Sequence, residues 1–151
     1  MAPPEVWGPP IWIFFHTITT KIKDDLDGNV YKGLFIIIKT ICKNLPCPAC
    51  SADATIFLSK INEDGINTKQ KLINNIYIFH NYVNNKTKKK LFNYNMVSNY
   101  TQLDLAQTIR QFIKAYHTSG NMNLLNESFQ RQMTVKELRR WMRSNIKAFV
   151  N

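Results

Sequence analysis

Apolar residues recur at intervals of three and four along most of this chain, so the sequence reads as a succession of amphipathic helices. Ile11, Phe14, Phe15, Ile18 and Ile22 share one face of a first helix over Ile11 to Lys23, with the prolines of Trp7-Gly8-Pro9-Pro10 placed to open it. A turn at Asp27-Gly28-Asn29 separates it from a second helix whose face is Tyr31, Leu34, Phe35, Ile38, Ile41, Cys42 and Leu45. Leu34 to Ile38 alone would also suit a buried strand, but no run of alternating positions supports a sheet.

Pro48 opens a third helix in which Ala52, Ile56 and Leu58 carry the apolar pattern to about Ile61. Asn67 with Gln70 resembles a capping pair before a fourth helix, with Leu72, Ile73, Ile76, Tyr77, Phe79, His80 and Val83 along it to about Asn85. Thr101 and Asp104 are candidate caps for a fifth, with Leu105, Ile109, Phe112, Ile113 and Tyr116 on its face and Ser119-Gly120 as its stop. Thr134-Val135-Lys136-Glu137 has a capping-box pattern before Leu138, Trp141, Met142 and Phe149, with Lys136, Arg140, Arg143 and Lys147 on the opposite side. The expected fold is all-α.

With 151 residues, 44% hydrophobic, the chain can bury one substantial core. No apolar run approaches the ~18 residues of a membrane span, and no basic-then-apolar leader precedes the first helix, so a soluble chain without a targeting peptide is expected. A net charge of +10 would suit nucleic acid, yet no nucleic-acid motif accompanies it and charge alone serves solubility. All the arginines lie beyond Tyr94, a compositional shift that divides the chain into a core of 1–94 and a helical C-terminal extension of 95–151. Lys86 to Lys90 places four cations in five positions, which must be exposed or meet an anion.

Three cysteines are too few for a secreted disulfide scaffold, which turns attention to Cys47-Pro48-Ala49-Cys50 at the start of the third helix. The pair supports a redox disulfide, half of a zinc site, or buried structural thiols. Zinc needs further ligands, and only Cys42, His16, His80 and His117 are available, without a second C-x-x-C or a close histidine pair. A redox pair in a helical protein suggests a flat cofactor held between helices, for which Trp7, Trp12, Phe15, Tyr77 and Phe79 offer aromatic surface.

Trp7-Gly8-Pro9-Pro10-Ile11-Trp12, His16 four residues later, Leu45-Pro46-Cys47-Pro48-Ala49-Cys50 and His80-Asn81-Tyr82-Val83-Asn84 together resemble, in order and spacing, the Erv/ALR family of FAD-linked sulfhydryl oxidases, especially members encoded by large DNA viruses. The resemblance covers about residues 5 to 92. It implies a four-helix bundle with FAD at its mouth, often dimeric. It implies FAD contacts from Trp7, Gly8, Trp12, His16, Cys50, His80, Asn81, Val83, Asn84, Lys86 and Lys89. It also implies that substrate dithiols reduce the Cys47–Cys50 disulfide, with Cys47 outermost, and that the electrons pass through FAD to oxygen, giving hydrogen peroxide. The alternative is a non-catalytic basic helical binding module with structural or zinc-bound cysteines.

Some positions depart from the family pattern. Many cellular relatives carry a second, shuttle cysteine pair, whereas Cys42 is the one cysteine left here, so the expected substrate is a separate dithiol or thioredoxin-like protein. Pro9 stands where many relatives have a basic residue, and no proline follows Lys89. The host cytoplasm or the virion is the expected setting.

Overall fold

The computed structural model describes residues 3–117 and 125–150, and these form six α-helices joined by turns and short 3-10 segments. They are α1 (Pro4–Lys21), α2 (Gly28–Lys43), α3 (Pro48–Ser59), α4 (Lys69–Lys86), α5 (Leu105–Tyr116) and α6 (Leu125–Ser144). No strand is found among the described residues; an isolated bridge between Ile22 and Phe149 ties the C-terminal turn to the end of α1. None of the described helices is long and apolar enough to cross a membrane. The expected stop at Ser119-Gly120 lies outside the described residues.

Helix α1 begins seven residues before its expected start at Ile11, and Pro9 and Pro10 lie within it. Pro4 takes the first-turn position instead. The two interior prolines leave the Glu5 and Val6 carbonyls without their usual donors, but both residues are exposed and water can satisfy them. Trp7 and Ile11, one turn apart, are both buried and fix this segment to the core.

Helix α2 follows its predicted face, and Asp27 caps it by accepting a hydrogen bond from the Asn29 amide. Tyr31 locks the preceding turn, donating its hydroxyl to the Lys23 carbonyl at 2.7 Å and accepting from the Leu26 amide. In α3 the inward face is Ser51, Ala54 and Leu58, whereas Ala52 and Ile56, expected inside, are exposed. Helix α4 is capped by Thr68, whose hydroxyl accepts from Lys71, one residue on from the expected Asn67. Asp104 caps α5; Thr101 sits in the 3-10 segment Tyr94–Gln102.

Helix α6 departs most from expectation. It already runs at Leu125, so Thr134 is interior and returns its hydroxyl to the Gln130 carbonyl. Phe149 and Lys147 lie past its end, in and after the 3-10 turn Ile146–Ala148. The segment beyond residue 94 contributes Phe112, Tyr116, Val135, Leu138 and Met142 to the same hydrophobic cluster as Phe14, Phe15, Phe35 and Ile38. Helix α5 packs on α1, where Phe112 stacks on Phe14 at 4.4 Å, and α6 packs on α2.

The α2–α6 contact depends on one glycine. A Cβ at Gly33 would stand 2.9 Å from Trp141 Nε1, inside van der Waals contact. Gly33→Val is therefore expected to displace Trp141 and lower stability by about 1–3 kcal/mol, the range for overpacking. Thermal unfolding of the variant checks this, and an unchanged midpoint would disprove the close fit.

Candidate functional site

Cys47 caps α3 rather than entering it, with an extended backbone, while Pro48 occupies the first turn. Cys50 then lies one turn along, and the two side chains are joined as a disulfide with Cα atoms 5.2 Å apart. Cys47 Sγ also accepts a hydrogen bond from the Cys50 amide at 3.2 Å. That amide belongs to the unpaired set at the helix start, so it would stabilise a Cys47 thiolate after reduction. Ser51 holds the approach, its hydroxyl accepting from the Leu45 amide at 2.8 Å. Among the described residues no cluster of three or more histidine, cysteine or acidic side chains is placed to hold a metal.

Beside this disulfide a cavity of about 400 Å³ opens between α1, α3 and α4. Cys50 lines it and so does Cys42; Cys47 is not among its walls. Of the residues expected to hold a cofactor, Trp7, Gly8, Trp12, His80, Val83, Asn84, Lys86 and Lys89 line it as well. Trp12 and His80 both line it with their rings stacked on one another at 4.1 Å and 11°. Phe15 and Phe79 add to the aromatic lining, whereas Tyr77 packs edge-on against Tyr94 outside it.

His16 and Asn81 do not line the cavity; they build its wall from behind. His16 is buried, and its Nε2 lies 2.8 Å from His80 Nδ1, so one of the two nitrogens carries the shared proton. Burial lowers the His16 pKa to about 3, with the neighbouring His80 acting in the same direction. For His80 burial, followed by the Lys89 charge, lowers it to about 4. Both rings are neutral at pH 7. Asn81 clamps the chain after α4, donating to the Phe92 carbonyl at 3.0 Å and accepting from the Phe92 amide at 2.6 Å. The clamp sets the Phe92 ring against both histidines, at 4.7 Å and 4.9 Å.

Lys86 to Lys90 is exposed, as the charge requires. Lys88 takes the left-handed conformation at φ 60°, and the Lys89 amide returns to the Asn84 carbonyl, closing the end of α4. This reversal carries Lys89 back to the cavity. Cys42 is buried at the rear wall, where burial pushes its thiol far up and keeps it protonated.

Tyr100, Asp53 and Tyr82 also line the cavity, and sequence reasoning missed all three. Tyr100 stacks on His16 at 4.9 Å from a 3-10 segment that has no helical periodicity to read. Asp53 had a usable signal, since it follows Cys50 by three residues on a helix and so shares its face.

A flat aromatic or flavin-like ring with an anionic tail fits these walls. Gly8 costs about 1 kcal/mol relative to alanine in a helix, yet its φ is not positive and, beyond its chain neighbours and the backbone of its own helix, no atom lies within 4 Å of where its Cβ would be. Its missing side chain therefore leaves room on the cavity wall that the protein itself does not use.

Comparison with known proteins finds viral relatives of this chain. An African swine fever virus protein named FAD-linked sulfhydryl oxidase is 28% identical over 104 residues, 68% of this chain and 86% of that protein. A fowlpox virus protein named probable FAD-linked sulfhydryl oxidase is 36% identical over 76 residues, 50% of this chain and 71% of its own. A putative FAD-linked sulfhydryl oxidase of Invertebrate iridescent virus 6 is 27% identical over 94 residues, 58% of this chain and 85% of its own. No solved structure matches. The model of the Erv1 / Alr family matches residues 9–104, the stretch that carries α1 from Pro9, the disulfide, α4 and the Tyr100 wall, and the chain belongs to that family.

Proposed function

We propose that this chain is a FAD-linked sulfhydryl oxidase that makes disulfides in a separate dithiol protein. The observation that carries the reading is the Cys47–Cys50 disulfide with Cys50 alone of the pair on the aromatic cavity wall. A substrate thiolate attacks Cys47 Sγ, the Cys47–Cys50 bond breaks, and Cys50 leaves as a thiolate. The second substrate thiol, as its thiolate, then attacks the substrate sulfur of the mixed disulfide. Cys47 departs as a thiolate facing the Cys50 amide, and the substrate leaves oxidised by two electrons.

Bound FAD supplies acceptance of those two electrons from the reduced pair and their transfer to oxygen, with hydrogen peroxide as product. The stacked Trp12–His80 pair would give its ring system an aromatic surface, and Lys86 and Lys89, which line the cavity, would meet its pyrophosphate. Residues 1–94 are read as the oxidase unit, with the extension from 95 closing the cavity through Tyr100. A protein dithiol is the substrate because Cys42, the one further cysteine, is buried and inert. A homodimer, and a setting in the host cytoplasm or virion, complete the reading.

Purified protein should carry flavin absorbance and consume oxygen when given dithiothreitol; a colourless protein that takes up no oxygen after FAD addition would reject the proposal. Gly8→Leu places a side chain in the free space and should weaken FAD binding by about tenfold or more, with the unfolding midpoint maintained or raised. Equal affinity in the variant would show that the cofactor does not occupy this wall.

A further inference from the structure

Lys86 is held in place at the cavity rim by partners of its own chain. Its Nζ lies 2.7 Å from Asp53 Oδ1 and 5.9 Å from the centroid of the Tyr82 ring. All three residues line the cavity. Asp53 is one turn beyond Cys50 on α3, and Phe57, a further turn along, stacks on Tyr82 at 4.4 Å. The end of α4 is thus gripped by one face of α3, the face that carries Cys50.

An ion pair exposed to this degree does little for global stability, with side chains 49% and 45% exposed. Its effect is local. A free lysine samples many rotamers, and an anion that binds it must stop that motion. Here the carboxylate uses one of the three ammonium donors, leaving the others in a fixed direction. The carboxylate also repels an incoming phosphate, and salt does not remove that repulsion inside the Debye length of about 8 Å; the high dielectric of a rim half open to water weakens it, and the bound ammonium between the two charges offsets it while keeping its orientation.

We infer that Asp53 is a positioning residue, supported by Tyr82, that sets the Lys86 ammonium for the phosphate of the bound cofactor. The inference rests on the reading of this cavity as a flavin site. It adds a role for α3 beyond carrying the disulfide: the helix that presents Cys50 to the cofactor also aims the cation that holds the cofactor's other end.

The test compares FAD with riboflavin, which has the ring system and no phosphate. Affinities are measured by flavin fluorescence on the full chain for wild type, Asp53→Asn, Lys86→Met and the double variant. Asp53→Asn should bind FAD about tenfold more weakly, a loss reasonable for one ion-pair network, and bind riboflavin as wild type does. Combined with Lys86→Met, it should add no further loss. Unchanged or tighter FAD binding by Asp53→Asn would overturn the inference, as would an equal loss for riboflavin or in the Lys86→Met background. Asp53→Ser serves as a second probe should Asp53→Asn misfold. If wild type binds neither flavin, the function itself fails; if wild type binds FAD and Asp53→Asn does so equally, only the role of Asp53 fails.

Discussion

Cys50→Ser is expected to abolish oxygen uptake with a dithiol, by at least about a thousandfold, while the protein remains folded. Serine cannot form or reopen the disulfide, so electrons have no entry to the cavity. The fold should survive because the bond closes a loop of only four residues, worth about 2 kcal/mol by loop entropy, against the usual 5–15 kcal/mol of a domain. Cys47→Ser should lose turnover equally, and the two variants should then differ in a second measurement. The remaining Cys47 thiol faces the backbone amide of residue 50 at the start of α3, whereas Cys50 lies a turn further into the helix on the cavity side. Alkylation by iodoacetamide at neutral pH should therefore be about tenfold faster at Cys47 in Cys50→Ser than at Cys50 in Cys47→Ser. Cys42 will not confuse the assay, since burial keeps its thiol protonated and covered. Turnover in either variant, or faster alkylation of Cys50, would overturn the assigned roles.

The parts of this site that the sequence made legible are those whose periodicity and burial agree. The Tyr31 to Cys42 face gave α2 directly, and Pro48 marked the start of α3 between the two cysteines. Where polarity and burial part company, the pattern misleads. Thr134 looks like a cap but is a buried helix-interior residue, and Arg131 one turn earlier is 1% exposed, so the true start of α6 was hidden behind polar residues facing inward. Ile56 reads as core and is exposed, because Ala54 and Leu58 turn the other side of α3 inward.

The same division runs through the cavity. Trp12 and His80 were legible as a pair of motif residues, and the structure stacks them face to face. Asn81 belongs to the same motif, yet its amide is spent on the backbone of Phe92, eleven residues away. That pairing has no local spacing from which to infer it. Tyr100 and Phe92 reach the histidines only because Asn81 and the left-handed Lys88 turn the chain back after α4.

The buried histidine pair gives the site a pH limit. Above the ordinary histidine value of 6.5, both rings are neutral in the folded and unfolded chain, and their packing contributes its full stability. Their folded values lie far below that, at about 3 for His16 and about 4 for His80. As the pH falls through 6.5 the unfolded chain takes up protons that the folded chain refuses, so stability declines by up to about 1.4 kcal/mol per pH unit for each ring. The loss continues until the folded rings protonate. Discounted for the partial exposure of His80, the pair should cost about 2–4 kcal/mol between pH 7 and pH 5. His117 is shifted in the same direction by burial and by Arg131 and Arg139, so it reinforces the trend. Urea unfolding at pH 7, 6 and 5 measures the slope, and His16→Gln should remove about half of the pair's share of it while keeping a hydrogen-bonding group opposite His80. A flat stability profile across that range would contradict the buried neutral pair. Because His80 is stacked on Trp12 at the cavity, charging it would disrupt the surface on which the flavin is proposed to rest, and cofactor retention by the folded protein should fall as the pH approaches about 4, where that ring protonates.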